Sequence, residues 1–157
     1  MRVAMFEPEI AGNVGAVMRL CACLGARLDL IEPMGFVWDD RRVRRAAMDY
    51  IDHVEVVRHA GFERFRETLG EGRLVLFTTK AGQSAYDYTY SPEDVLLFGK
   101  ESAGVPDHVA EASDAKVRLP MRAEVRSLNV ATSAAIALAE ALRQTGTLPR
   151  QRPAVDK

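Results

Sequence analysis

Little in this sequence points to a disulfide, a metal centre or a membrane. The 157 residues include two cysteines, one tryptophan and three histidines. Cys21 and Cys23 are too few for a zinc site, and their CxC spacing suits neither a tight disulfide nor a redox CxxC pair. They read as reduced packing residues on a helix. His53, His59 and His108 stand apart from any GxSxG or HExxH pattern, which argues against a hydrolase or a metalloenzyme and predicts no metal. No long apolar run and no signal-peptide pattern occurs, so a soluble, cytoplasmic protein with no membrane contact is expected. Charge of one sign is scarce too: the formal net charge is -1. Any contact with nucleic acid must therefore use a local patch.

What the chain does have is apolar content, 48% of residues, enough to bury one proper core. The apolar residues fall into alternating strand and helix patterns. Arg2–Phe6, Arg27–Ile31, His53–Val57, Arg73–Thr79, Asp94–Phe98 and Ala115–Leu119 read as strands. Val14, Val17, Met18, Cys21 and Leu24 repeat at helical spacing, with Gly25 as the stop. Asp39–Met48 reads as a short basic helix with Asp39 or Asp40 as N-cap. Phe62–Leu69, Asp107–Glu111 and Asn129–Arg143 complete the helices. The polar stretch Ala81–Tyr90 reads as a loop. The alternation predicts an α/β fold, a mostly parallel sheet with helices on both faces. The tail Pro149–Lys157 has no periodicity and is expected to be flexible.

In a parallel sheet the carboxyl ends of the strands share one edge, where ligands bind. Three strand ends here carry unusual residues. They are Phe77-Thr78-Thr79-Lys80, the stretch FGKESAGVP at 98–106, and Leu119-Pro120-Met121 followed by Arg126-Ser127-Leu128-Asn129. Ser127 is a candidate N-cap for the last helix. FGKESAGVP is neither a GxxxxGK[ST] phosphate loop nor a GxGxxG dinucleotide loop. Each segment alone has a structural explanation in turns and caps. Together they predict a pocket that binds through backbone groups and apolar walls.

At the first strand-to-helix turn, Arg19 lies one turn after Gly15 and leans toward the loop at Asn13. Spacing leaves two readings open: a grip on a phosphate or polarised hydroxyl, or an ion pair with Glu7 or Glu9. The segment Arg41-Arg42-Val43-Arg44-Arg45 also has two. Arg41, Arg42 and Arg45 are candidates for phosphate contact with RNA, with Phe36 and Trp38 able to stack on a base. Alternatively they form a solvated face paired with Asp39, Asp40 and Asp49.

These residues resemble a known family. Asn13–Arg19 (N-x-G-x-x-x-R), Ile31–Asp40 (IEPMGFVWDD), FGKESAGVP and Leu119–Ser133 (LPMRAEVRSLNVATS) resemble the SPOUT-class RNA 2′-O-ribose methyltransferases over nearly the whole chain. The segment EPMGF-x-WDD-x-R-x-R-R and the chain length are similar to a subgroup of that class. Its members are minimal tRNA (cytidine/uridine-2′-O)-methyltransferases that modify the wobble nucleotide. The resemblance implies a single domain over residues 1–148, with a C-terminal deep trefoil knot, against the usual scarcity of knots. It implies S-adenosyl-L-methionine as methyl donor, bound at Phe77, Thr78, Gly99, Glu101, Gly104, Leu119, Met121, Ser127, Leu128 and Asn129. It also implies tRNA as substrate and a homodimer whose active site is shared between subunits. Arg19 would act at the ribose hydroxyl and the RNA, with Asn13, Glu101, Ser127 and Asn129 orienting the reactants. The family's third motif reads S-L-N-V-S-N-A; here Ala131 and Thr132 replace its second serine and second asparagine. Two further readings are an enzyme of this class acting on another tRNA or rRNA ribose, and a non-catalytic RNA-binding domain of the same fold.

Overall fold

In the computed structural model, which describes residues 1–150, a seven-stranded parallel sheet carries helices on both faces. Its strands are β1 (Arg2–Phe6), β2 (Arg27–Ile31), β3 (Val56–His59), β4 (Leu74–Phe77), β5 (Gln83–Ser84), β6 (Val95–Phe98) and β7 (Ala115–Arg118). The helices are α1 (Ala11–Leu24), α2 (Asp40–Ala47), α3 (Phe62–Arg66), α4 (Asp107–Glu111) and α5 (Val130–Thr145). The sheet order is β3-β2-β1-β6-β4-β7-β5. β1 shows why both faces are covered. Val3 and Met5 enter a core with residues of α1 and α5, whereas Ala4 and Phe6 enter a second core with Phe62, Phe65 and Val109. Alternate side chains of a strand point to opposite faces, so a strand apolar at every position needs a layer on each side.

The order reverses between β1 and β6. From β1 the chain runs through α1 to β2 on one side; from β6 it runs through α4 to β7 on the other. Met5 lies opposite Phe98, and Phe98 opposite Phe77, so β1, β6 and β4 end level with one another. Their carboxyl ends therefore form the crevice in which open α/β sheets hold ligands.

A buried charge cluster ties the far half of the sheet together. Asp29 is fully buried; Arg2 Nε donates to its Oδ2 at 2.8 Å, Arg27 to its Oδ1 at 3.0 Å, and His59 Nε2 lies 2.7 Å from Oδ1. Burial alone would push the Asp29 carboxyl up, but the bonds from Arg2 and His59 outweigh it and hold the group below the usual range. The stabilisation from Asp29 is thus complete above the unfolded value, about 3.9, and is lost as pH falls through the lower folded value. Asp29→Asn is expected to cost about 1–3 kcal/mol at neutral pH by removing the charge that the half-buried Arg2 and Arg27 share. Urea unfolding at pH 7 and at pH 3 should show the gap between wild type and variant closing in acid.

Several expected boundaries move. The third strand is Val56–His59 rather than 53–57, because Met48–His53 forms a 3-10 turn that delays it. The helix from Phe62 ends at Arg66, short of Leu69. Ala81–Tyr90 is not a free loop. Gln83 and Ser84 pair with β7, Ala85 and Tyr90 are buried, and the Tyr90 hydroxyl donates to the Ala85 carbonyl at 2.9 Å. Only one of the two cysteines packs as expected. Cys21 is in the core, its thiol pushed up to about 12 by burial, and Cys23 is exposed. Of the expected tail, residues 151–157 lie outside the described residues. Among the described residues no helix is long and apolar enough to cross a membrane.

Candidate functional site

The pocket grows from three strand ends. Phe77 ends β4 and Thr78 follows it, Gly99, Glu101 and Gly104 follow β6, and Leu119, Met121, Ser127, Leu128 and Asn129 lie between β7 and α5. All ten line one cavity of about 750 Å³, together with Asn13 of α1. The rings of Phe77 and Phe98 stack at its floor, with centroids 4.9 Å apart. Walls that mix apolar side chains with polar and charged ones, and this volume, suit a small organic ligand that carries charged groups.

The wall after β6 is a tight turn. Lys100 and Gly104 exchange both backbone hydrogen bonds, at 2.9 and 3.0 Å. Gly104 sits at φ 68°, in the left-handed region. A Cβ on Gly99 would come within 2.4 Å of the Gly104 carbonyl carbon. Only glycine fits there, because the turn's own backbone at Gly104 takes the space a side chain would need.

Glu101 has a definite role. Its carboxylate accepts from the backbone N–H of Glu9 at 2.8 Å and of Ile10 at 3.3 Å, and from Asn13 Nδ2 at 3.1 Å. The residue that opens α1, Ile10, has no side-chain cap of its own. Glu101 supplies that cap from 91 residues away in the chain, placing negative charge at the helix's positive end. Asn13 Oδ1 in turn accepts from Asn129 Nδ2 at 3.0 Å. Asn129 Oδ1 then caps α5 by accepting from the N–H groups of Ala131 and Thr132. The expected capping by Ser127 is therefore corrected: Asn129 is the N-cap, and Ser127 is exposed on the pocket wall. Glu101–Asn13–Asn129 joins three motifs through two helix starts. Glu101→Ala is expected to lower stability by about 1–2 kcal/mol and to weaken ligand binding with it. Thermal unfolding with and without the ligand measures both.

Sequence reasoning missed the other half of this brace. Glu9 Oε2 and Oε1 accept from the N–H and hydroxyl of Ser102 at 2.9 and 2.8 Å. Those bonds hold the Glu9 carboxyl below its ordinary value. Lys100 Nζ pairs with Glu7 at 2.5 Å, and that bond raises the lysine. The tripeptides Glu7-Pro8-Glu9 and Lys100-Glu101-Ser102 are thus complementary, which is the one signal the sequence offered. Glu7 holds φ 43°, a left-handed conformation unusual for a side-chain-bearing residue. The EPMGF segment buttresses the turn from behind: Gly35 donates to the Pro8 carbonyl, and a Cβ there would meet Glu9 Cα at 2.9 Å.

The remaining candidates are elsewhere. Arg19 is exposed and does not line the pocket. Its guanidinium lies over the Tyr50 ring, 4.9 Å from the centroid, rather than over the Asn13 loop. The acids proposed as its ion-pair partners are engaged with Lys100 and Ser102. Arg41, Arg42 and Arg45 are exposed on α2, also away from the pocket, while Val43 of the same helix is buried. Asp39 is the N-cap side chain, accepting from Arg41 N at 2.8 Å, and Arg42 lies 3.8 Å from it. Phe36 and Trp38 pack partly buried against the core, with Arg58 over the Trp38 ring.

A parallel sheet with a ligand-sized pocket walled by three loops at its carboxyl edge defines an α/β protein built to bind a small organic molecule. The chain belongs to the SpoU rRNA Methylase family, whose model matches residues 1–139. The tRNA (cytidine(34)-2'-O)-methyltransferase of Beijerinckia indica is 51% identical over 150 residues, covering 94% of each chain. A solved structure described as giving structural insights into the 2-OH methylation of C/U34 on tRNA superposes with TM-score 0.87 at 38% identity. It covers 91% of this chain and 94% of that one. The SpoU methyltransferase AviRb from Streptomyces viridochromogenes, in complex with the cofactor AdoMet, superposes with TM-score 0.83 at 26% identity. The match covers 92% of this chain and 57% of that one.

Proposed function

We propose that the protein methylates the ribose 2′-hydroxyl of the wobble cytidine or uridine, nucleotide 34, in cytoplasmic tRNA, with S-adenosylmethionine as donor. The observation that carries this reading is the convergence of all ten expected donor-binding residues on one cavity, in a chain 51% identical to an enzyme named for that reaction. The cavity fits the donor: its volume and its mixed apolar and polar lining suit a charged small organic molecule, and no phosphate loop is present. When bound, the donor supplies an electrophilic methyl group.

The residues have to place a hydroxyl in line and manage its charge. Positioning alone contributes up to roughly 7–11 kcal/mol in favourable cases. Arg19 holds its proton too tightly to be a base. It stabilises the alkoxide developing on the ribose and grips the adjacent phosphate. Because Arg19 is exposed and outside its own chain's pocket, it serves the pocket of a second subunit, in a homodimer. Asn13, Glu101 and Asn129 hold the donor loop and both helix starts in place, and Ser127 faces the reactants from the pocket wall. Arg41, Arg42 and Arg45, exposed on α2, contact RNA phosphates.

The single domain runs over residues 1–148, and its C-terminal part is threaded as a trefoil knot. Support for the threading comes from the segment 85–90. It bonds to β7 through Ala85 N and Arg118 O, and to α5 through Tyr90 N and Gln144 Oε1. The test is genetic: tRNA from a strain lacking the gene should lose ribose methylation at nucleotide 34 and regain it on complementation. Unchanged methylation in the deletion strain overturns the reading.

A further inference from the structure

A second cavity, of about 590 Å³, opens at the sheet's order reversal, on the other side of the donor loop. It is lined from the ends of β1, β2, β3 and β6 and shares Lys100 and Ala103–Val105 with the donor pocket. The two cavities are one loop apart. Part of its wall is apolar and aromatic, Phe6, Pro33, Phe62, Pro106 and His108, with His108 edge-on to Phe62 at 6.2 Å, and part is charged, Arg64 included. Three glutamates line it, Glu7, Glu32 and Glu63, and the first two each spend one oxygen on a cation. Glu7 uses Oε2 for Lys100, and Glu32 uses Oε1 for Arg58. Glu7 Oε1 and Glu32 Oε2 stay available as acceptors, with the charge already balanced. Glu7 is also the residue at positive φ, and such strain gathers at ligand sites.

We infer that this cavity takes a second, unpaired nucleobase of the RNA substrate, one that carries an exocyclic amino group. Single-stranded RNA is read by bases splayed into apolar, aromatic sites and hydrogen-bonded along their edges, and a carboxylate accepts from a base amino group. Aromatic walls beside two acceptor oxygens select adenine, cytosine or guanine over uracil, which offers only its imide N–H. A base held here, one loop from the donor, fixes the register of the neighbouring target ribose.

The inference rests on the RNA methyltransferase reading, and a binding cycle separates the two. Full-length protein is titrated with an anticodon stem-loop, by anisotropy, each unpaired base except the target being replaced in turn by an abasic residue. One position is expected to cost roughly tenfold or more in Kd, and uracil there should not restore it. Ala60→Trp, which fills the cavity from the exposed end of β3, should cost the same on the intact loop and add nothing on the abasic one. Glu32→Gln should weaken the preference for amino-bearing bases. Donor affinity stays at the wild-type value in both variants, which shows that they fold. Wild-type Kd for the intact loop in Ala60→Trp, or a full additive loss, overturns the inference. So does displacement of the loop by a free nucleoside monophosphate, which would assign the cavity to a free nucleotide. Failure of the wild type to transfer a methyl group counts against the methyltransferase reading alone, since binding is still read.

Discussion

Arg19→Ala is expected to reduce methyl transfer to tRNA by about 10²–10³-fold, the usual cost of removing one donor aimed at developing charge. Affinity for S-adenosylmethionine should not change. The second expectation follows from position: Arg19 is exposed on α1, over Tyr50, while its own chain's pocket is lined by other residues. On the proposed reading, an arginine so placed reaches the chemistry across a subunit boundary. Mixing Arg19→Ala with a chain defective in the donor pocket should therefore restore activity, because a mixed dimer has one site with an intact arginine and an intact pocket. With random exchange, roughly a quarter of all sites recover. Titration calorimetry and initial rates on the separate and mixed proteins measure all three quantities. No recovery on mixing would place Arg19 in the site of its own chain.

Gly99→Ala supplies that defective chain and is the second large effect. The added methyl would lie 2.4 Å from the Gly104 carbonyl carbon and 2.7 Å from its Cα. Both neighbours are backbone, so no side chain can swing away. The Lys100–Gly104 bridge must open, or the turn must shift into the cavity. Overpacking of this kind costs about 1–3 kcal/mol, which predicts donor affinity weaker by roughly 5- to 150-fold. The fold should survive, because the turn sits at the carboxyl edge above the core. Calorimetry of donor binding, beside a thermal unfolding curve close to wild type, is the check. Equal affinity in the variant would mean that the donor does not rest on this turn.

Sequence alone made the sheet legible where strands are short runs rich in apolar residues: the limits of β1 and β2 emerge unchanged. The pocket was legible because carboxyl ends of parallel strands must share an edge, whatever the order of the strands. Distant pairing was not legible. Ser127 and Asn129 are both good caps two residues apart, and the bond between Asn129 and Asn13, 116 residues away, goes with the choice. The partners of Glu101 are 88 to 92 residues distant, so no local spacing could reveal that it caps α1. Val54 and Val57 read as strand, yet the 3-10 turn before them sets where pairing with β2 begins. The short strand at Gln83–Ser84 has no apolar alternation at all. It exists because β7 offers it a free edge.

The central claim is tested most directly with purified components: the protein, tRNA and methyl-labelled S-adenosylmethionine, followed by digestion to nucleosides and mapping of the label. The account predicts label in 2′-O-methylcytidine or 2′-O-methyluridine from nucleotide 34 and nowhere else. Label on a base, or on a ribose at another position, would contradict it.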